Sequence, residues 1–296
     1  MRIRSNAGIL ALTLLCAGVH IAHAGAAQAN APQSLYAKYK ELQGRLNHNA
    51  FNKPFFLDSS ETQGGVQGDM YALVSHPFAM VGAALSSADN WCDILLLHLN
   101  TKYCRASKAG EGNVLNVSIG KKYDQPLDEA YRIVFDYRVV TQASNYLQVR
   151  LNADKGPLST RNYRIVLEAI PMENQRTFIH LSYSYGFGWA GRTAMKTYLA
   201  TTGRNKVGFT VAGTQPGGGP HYVRGMRGVV ERNTMRYYLA IEAFLGALSE
   251  PAPARLEKRL HDWFAAIERY PRQLHELEQS EYLGMKRKEY RRHQAE

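Results

Sequence analysis

Few of the side chains that do chemistry stand in spacings that would let them do it. The histidines beyond the first 24 residues, His48, His76, His98, His180, His221, His261, His275 and His293, are scattered. Only His180 falls inside a strand-like alternation, and it alternates to the polar side, where a lone imidazole is ordinarily a hydrogen-bonded group rather than a base. His275-Glu276 is followed by no second histidine at the spacing of a zinc-protease helix. There is no Gly-x-Ser-x-Gly elbow, no P-loop and no dinucleotide fingerprint. Gly217-Gly218-Gly219 sits between two strand-like segments, which makes it a turn rather than a phosphate cradle. The reading therefore expects no catalytic set, no metal and no cofactor.

One polar cluster stands out. Arg227, Glu231, Arg232, Asn233 and Arg236 crowd the start of a helical pattern. Arg227 and Glu231 are four apart and can pair on one face. In the structural reading Glu231 complements the helix dipole and the arginines are solvated. In the functional one Arg227 stands at a cavity mouth and holds a ligand carboxylate or phosphate.

The 296 residues carry 36 Lys+Arg against 25 Asp+Glu, a formal net charge of +11, and 45% of them are apolar. Such a chain builds a sizeable core, which excludes disorder, a collagen, a coiled-coil rod and a multi-span membrane protein. Arg2 and Arg4, the apolar run Gly8–Val19 and Ala22-His23-Ala24 read as a secretory signal cleaved near Ala24. A retained anchor is the alternative, but the apolar run is short for a membrane span. Leu15 before Cys16 is too bulky for a lipoprotein signal. The protein is thus expected to be periplasmic or secreted. There the two remaining cysteines, Cys92 and Cys104, should form a disulfide. The basic residues are dispersed, and the run Lys286–Arg292 reads as a solvated helix end in a compartment without nucleic acid. An anionic membrane surface is a second candidate partner.

The elements that would carry a site follow from periodicity. Leu35, Tyr39, Leu42 and Leu46 predict a leader helix, and the polar run Asp58–Gly65 separates it from a compact domain. Val66–Val74 reads as a strand running into a helix that Ser75 or His76 caps, with Pro77 in its first turn. Between 113 and 187 apolar and aromatic residues alternate with polar ones, the pattern of an antiparallel sheet apolar on one face and wet on the other. A helix at Trp189–Thr202 and a hairpin at Val207–Val211 and His221–Arg224 come next. Gly228–Leu248 is the strongest helical pattern, and Pro251 and Pro253 end it. Charged helices broken near Pro271 close the chain, with Leu256, Leu260, Trp263, Phe264 and Ile267 as an apolar stripe. The expected divisions are a signal over 1–24, a leader over 25–65, a domain over 66–250 and a charged helical tail over 251–296.

The segment Gly68-Asp69-Met70-Tyr71-Ala72-Leu73-Val74 leading into Ser75-His76-Pro77-Phe78, the Trp91-Cys92 pair and the helix Arg227–Leu248 together resemble the START-like and polyketide-cyclase superfamily. The resemblance covers Val66–Leu248. It implies an α+β helix-grip fold, a curved antiparallel sheet wrapped around the long C-terminal helix, here with extra helices at both ends. An apolar concave face must be covered, and a helix that does not fill the space leaves a cavity for a small molecule.

Candidate lining positions are Tyr131, Phe135, Tyr137, Tyr163, Leu167, Tyr183 and Tyr185 on the sheet. Tyr237 and Ile241 would face them from the helix, with Arg227 at its start. The reading favours a non-enzymatic periplasmic binder or carrier of a hydrophobic molecule such as a lipid, fatty acid or polyketide-like compound. An enzyme, a cyclase or hydrolase, would need His180, Glu168 or Arg150 on the cavity side. A cell-envelope interaction protein would need the apolar stripe of the tail left exposed.

Overall fold

The computed structural model describes residues 30–200 and 203–295. The expected signal segment lies outside the described residues. The chain opens with helix α1 (Ala31–Asn47), then strands β1 (Phe55–Glu61) and β2 (Gly65–Val74). Two short helices follow, α2 (Phe78–Leu85) and α3 (Ala88–Leu96), and then β3 (Thr101–Ala109) and β4 (Gly112–Ile119). A meander of long strands follows, β5 (Tyr131–Ala143), β6 (Tyr146–Lys155), β7 (Thr160–Met172) and β8 (Arg176–Phe187). Helix α4 (Trp189–Ala200), the hairpin β9 (Val211–Thr214) and β10 (Pro220–Tyr222), and helix α5 (Gly225–Gly246) come next. The tail holds α6 (Ala252–Ile267), the single turn α7 (Pro271–Leu274) and α8 (Gln279–Ala295).

The eight long strands form one antiparallel sheet in the order β1-β2-β8-β7-β6-β5-β4-β3. Every neighbour is a sequence neighbour except β2 and β8, which join the first hairpin to the end of the meander. Helix α5 lies across the concave face, so the fold is the helix-grip α+β arrangement that the alternation and the long helix predict. The helix packs most closely on β1, β2 and β8. Gly68 on β2 makes that approach possible, because a Cβ there would run into Thr234 Oγ1 of the helix.

Several elements differ from the sequence reading, each for a physical reason. The polar run Asp58–Gly65 is not a break: half of it belongs to β1, which pairs with β2 along its length. Phe55, Leu57 and Ser59 of that strand point inward. Buried Glu231 accepts a hydrogen bond from Ser59 Oγ (2.5 Å), which makes the inward polar residue tolerable. The second hairpin starts later than expected because the backbone N–H groups of Phe209 and Thr210 donate to Glu231 instead of to a partner strand. Pro77 is itself the cap position of α2 and no side chain caps it. Strand β3, unread in the sequence, forms the far edge of the sheet.

The convex face is not wet throughout. Leu35, Leu42 and Leu46 of α1 pack on Tyr146, Ile170 and Phe178, so part of the outer face is a second small core. The tail packs back on the domain as well. Leu260, Trp263, Phe264 and Ile267 are buried, with Trp263 stacked on Tyr282 (4.9 Å) and its Nε1 donating to Arg236 O (3.2 Å). The apolar stripe is therefore spent inside the molecule. The run Lys286–Arg292 is likewise not simply solvated: Lys286 and Glu289 turn inward and pair at 2.7 Å.

Cys92 and Cys104 are disulfide-bonded with Cα atoms 5.1 Å apart, tying α3 to β3. In urea unfolding, Gly68→Ala should lower stability by roughly 1–3 kcal/mol, the usual cost of overpacking. Adding Thr234→Ala should recover most of that loss, since the obstructing oxygen goes with it. Equal stability of Gly68→Ala and the wild type would show that the helix does not depend on this approach.

Candidate functional site

Because α5 leans toward β1, β2 and β8, the concave face on the other side of the sheet is under-filled. An inner chamber of about 140 Å³ lies there, walled by Val117, Ile133, Phe135 and Ile165 from the sheet and Tyr237 from α5. A wider outer chamber of about 490 Å³ is lined by Tyr131, Leu158, Tyr185, Met195 and Val229, with Lys121, Lys122, Glu129, Arg232 and Arg236 among its polar residues. Asn100, Ile119, Pro157, Tyr163, Tyr183 and Asn233 line both chambers, so the two lie side by side.

The interior of this site carries no ionised tyrosine. Burial pushes the Tyr163 hydroxyl up to about 12 and raises those of Tyr183, Tyr185 and Tyr237 as well. The rings pack on one another, Tyr163 stacked with Tyr185 (5.3 Å) and Tyr183 edge-on to Tyr237 (5.2 Å). Tyr163 OH and Thr160 Oγ1 share a 2.7 Å hydrogen bond. His98, at the turn after α3, also faces the inner chamber. Burial holds its pKa well below the ordinary value, helped by the cations Arg236, Lys286 and Lys122, so the imidazole is neutral.

Cations dominate the outer lip, and carboxylates hold several of them. Glu276 accepts from Lys122 Nζ (2.6 Å) and Arg236 Nη2 (2.9 Å), while Lys206 lies 3.6 Å away. Arg232 and Arg236 are buried rather than solvated, and Arg232 Nη1 donates to Val207 O (3.2 Å).

Of the residues singled out in the sequence, Phe135, Tyr163, Tyr183 and Tyr237 line the inner chamber, and Tyr131, Tyr163, Tyr183 and Tyr185 the outer one. Four are elsewhere. Tyr137, Leu167 and Ile241 are buried on the inward face and line neither chamber, and Tyr137 OH donates to Leu85 O (3.4 Å). Arg227 donates to Ser59 Oγ (3.0 Å) beside Glu231, and it is not at the mouth. Residues that sequence reasoning missed include His98, Asn100 and the Pro157–Thr160 turn, none of which belongs to a periodic pattern.

His180, Glu168 and Arg150 stand on the convex face, away from the cavity. His180 is hydrogen-bonded through Nδ1 to Glu168 Oε2 and through Nε2 to Asp69 Oδ1, each at 2.9 Å, and stacks on Tyr71 (4.4 Å). Tyr146 donates to the same Glu168. Both ring nitrogens are thus engaged in holding strands β2, β8 and β7 together.

No family model matches the chain, and no curated protein does. Among solved structures it is similar to a truncated norcoclaurine synthase from Thalictrum flavum, at 14% identity and a TM-score of 0.34 over 49% of this chain and 89% of that one. A STAR-related lipid transfer protein from Xanthomonas axonopodis matches at 12% identity and 0.34, covering 50% and 86%. Human StAR-related lipid transfer protein 5 matches at 11% and 0.32, covering 58% and 90%. The protein's own strand order, and the helix gripped by the sheet, define it as a cavity-forming helix-grip domain.

The convex cluster has a defined pH signature. Burial works against the His180 imidazolium, but its hydrogen bonds to Asp69 and Glu168 outweigh that and raise its pKa. Burial likewise opposes ionisation of Asp69 and Glu168, yet the bonds to His180 leave both lowered. The histidine's contribution is complete below about pH 6.5 and is lost as pH rises through the raised folded value. That of the carboxylates is complete above about pH 4.5 and is lost as pH falls through their depressed values. In thermal unfolding, the deficit of His180→Gln should be largest near pH 5 to 6 and shrink on both sides. A deficit independent of pH would remove the charge from this account.

Proposed function

We propose that the chain binds a compact hydrophobic molecule in the hollow between sheet and α5, and carries it in the periplasm or outside the cell. The observation that supports this best is the hollow itself, apolar and aromatic inside with a cationic lip. An inner chamber of about 140 Å³ is close to the roughly 150 Å³ of an apolar cavity that accepts benzene. A ring-sized group therefore suits it, and the outer chamber has the size of a drug-like ligand site. Burying apolar surface in such a site gains about 25 cal/mol per Å². Polyketide-like and other ring-bearing compounds fit this shape better than a molecule that is all flexible chain.

The lip also suits a membrane from which such a ligand could be taken. Leu158 at the mouth is 56% exposed, and Trp189, on the helix that packs against the Leu158 turn, is 83% exposed. Lys121 and Lys122 line the outer chamber together with Leu158. Apolar side chains next to lysines are the composition of a surface that meets anionic headgroups.

Native mass spectrometry of the delipidated protein, before and after exposure to an organic extract of the envelope, tests the reading. A bound small molecule is expected on the wild type, and Ile133→Trp, which fills the inner chamber, should weaken its retention roughly tenfold or more while circular dichroism stays unchanged. Repeated recovery of nothing from the extract, or equal retention by the filled variant, would overturn it.

A further inference from the structure

His98 follows α3 in a short turn, Leu97–Asn100, that no periodic pattern marks. Its side chain is 4% exposed and faces the inner chamber. Asn100 N–H donates to His98 Nδ1 (3.1 Å), which makes Nδ1 the acceptor and leaves the proton of the neutral ring on Nε2. Nε2 has no hydrogen-bond partner among the described residues. The Asn233 side chain interacts with the ring, but no hydrogen bond of ordinary geometry reaches Nε2. A buried donor without an acceptor is costly, and native interiors rarely keep one idle.

The ring is also held where it is. Tyr237 packs against it (5.2 Å), and the carbonyl of His98 accepts from Lys286 Nζ (2.7 Å) of the tail. The ring is therefore held by Asn100, by Tyr237 and by its anchored backbone.

We propose that His98 Nε2–H is a polar subsite of the inner chamber and donates a hydrogen bond to an uncharged oxygen of the ligand, a ketone, aldehyde or ester carbonyl. This rests on the reading of the cavity as a ligand site. An uncharged oxygen fits because Val117, Ile133, Phe135 and Ile165 are apolar, and the nearby cations Lys122 and Arg236 are already paired with Glu276 and Lys286 with Glu289. The subsite then favours ring-bearing carbonyl compounds over plain hydrocarbons of the same shape.

Isothermal titration calorimetry with acetophenone, with its isostere α-methylstyrene and with benzoate tests the assignment. Acetophenone should bind the wild type roughly tenfold more tightly than α-methylstyrene, the ordinary penalty for leaving a buried donor unpaired. His98→Phe should bind both alike. A long-range ¹H–¹⁵N spectrum of the wild-type imidazoles gives a second readout that needs no variant: the His98 Nε2 resonance should move with acetophenone and not with α-methylstyrene. Equal affinities of those two in the wild type, a still His98 resonance, or an acetophenone preference that survives in His98→Phe would each overturn the subsite while leaving the cavity reading intact. Tighter binding of benzoate than of acetophenone would overturn the choice of an uncharged oxygen. Failure of all three probes to bind would instead count against the cavity reading itself, and the subsite would fall with it.

Discussion

The contact between α5 and β2 at Gly68 governs the interior. A sheet of eight strands is wider than one helix, so a single helix cannot cover its concave face evenly. Removing one Cβ on β2 lets the helix settle against that side of the sheet. Glu231 then fastens the helix to β1 through Ser59 and to the 207–210 segment through two backbone N–H groups and Thr210 Oγ1 (2.7 Å). What the helix gains there it gives up over β4, β5 and β7, and the hollow is the geometric remainder.

The tail turns that remainder into a shaped site. Helix α8 reaches the turn that carries His98 from outside: Lys286 Nζ donates to His98 O and Thr101 O, and Tyr282 OH to Leu97 O. Lys286 shares Glu289 with buried Lys102, so two ammonium groups rest on one carboxylate. Burial holds Lys286 down to about 8. Such an arrangement is weak evidence for net stability, since desolvation offsets most of the attraction. Its geometric effect is clearer, because each lysine is bound to backbone carbonyls and can be satisfied in one place only. The disulfide between Cys92 and Cys104 closes the same stretch of chain covalently.

Much of the architecture was legible because alternation is a local signal. The inward positions of β5, β6, β7 and β8 could be read residue by residue, and Phe135, Tyr163, Tyr183 and Tyr237 do meet at the hollow. Alternation names a face, however, and not the depth of cover above it. Tyr137, Leu167 and Ile241 share that face and line neither chamber. Strand β1 escaped notice because its inward Ser59 looks like a loop residue until Glu231, 172 positions away, supplies its partner. His98 was illegible for the same reason. A turn residue acquires its surroundings from β3, α5 and α8 together, and no short window of sequence contains them.

The seam between β2 and β8 bears on how the molecule is made. Val66 faces Tyr185 across it, while all the other pairings in the sheet join neighbours along the chain. As the chain folds, the first hairpin must wait with an open edge until β8 is in place. Local hairpins from β3 onward can zip as they appear, but closure of the sheet is a late, long-loop event of the kind that slows folding. An unpaired β2 edge during that interval is a template for strand addition by another chain.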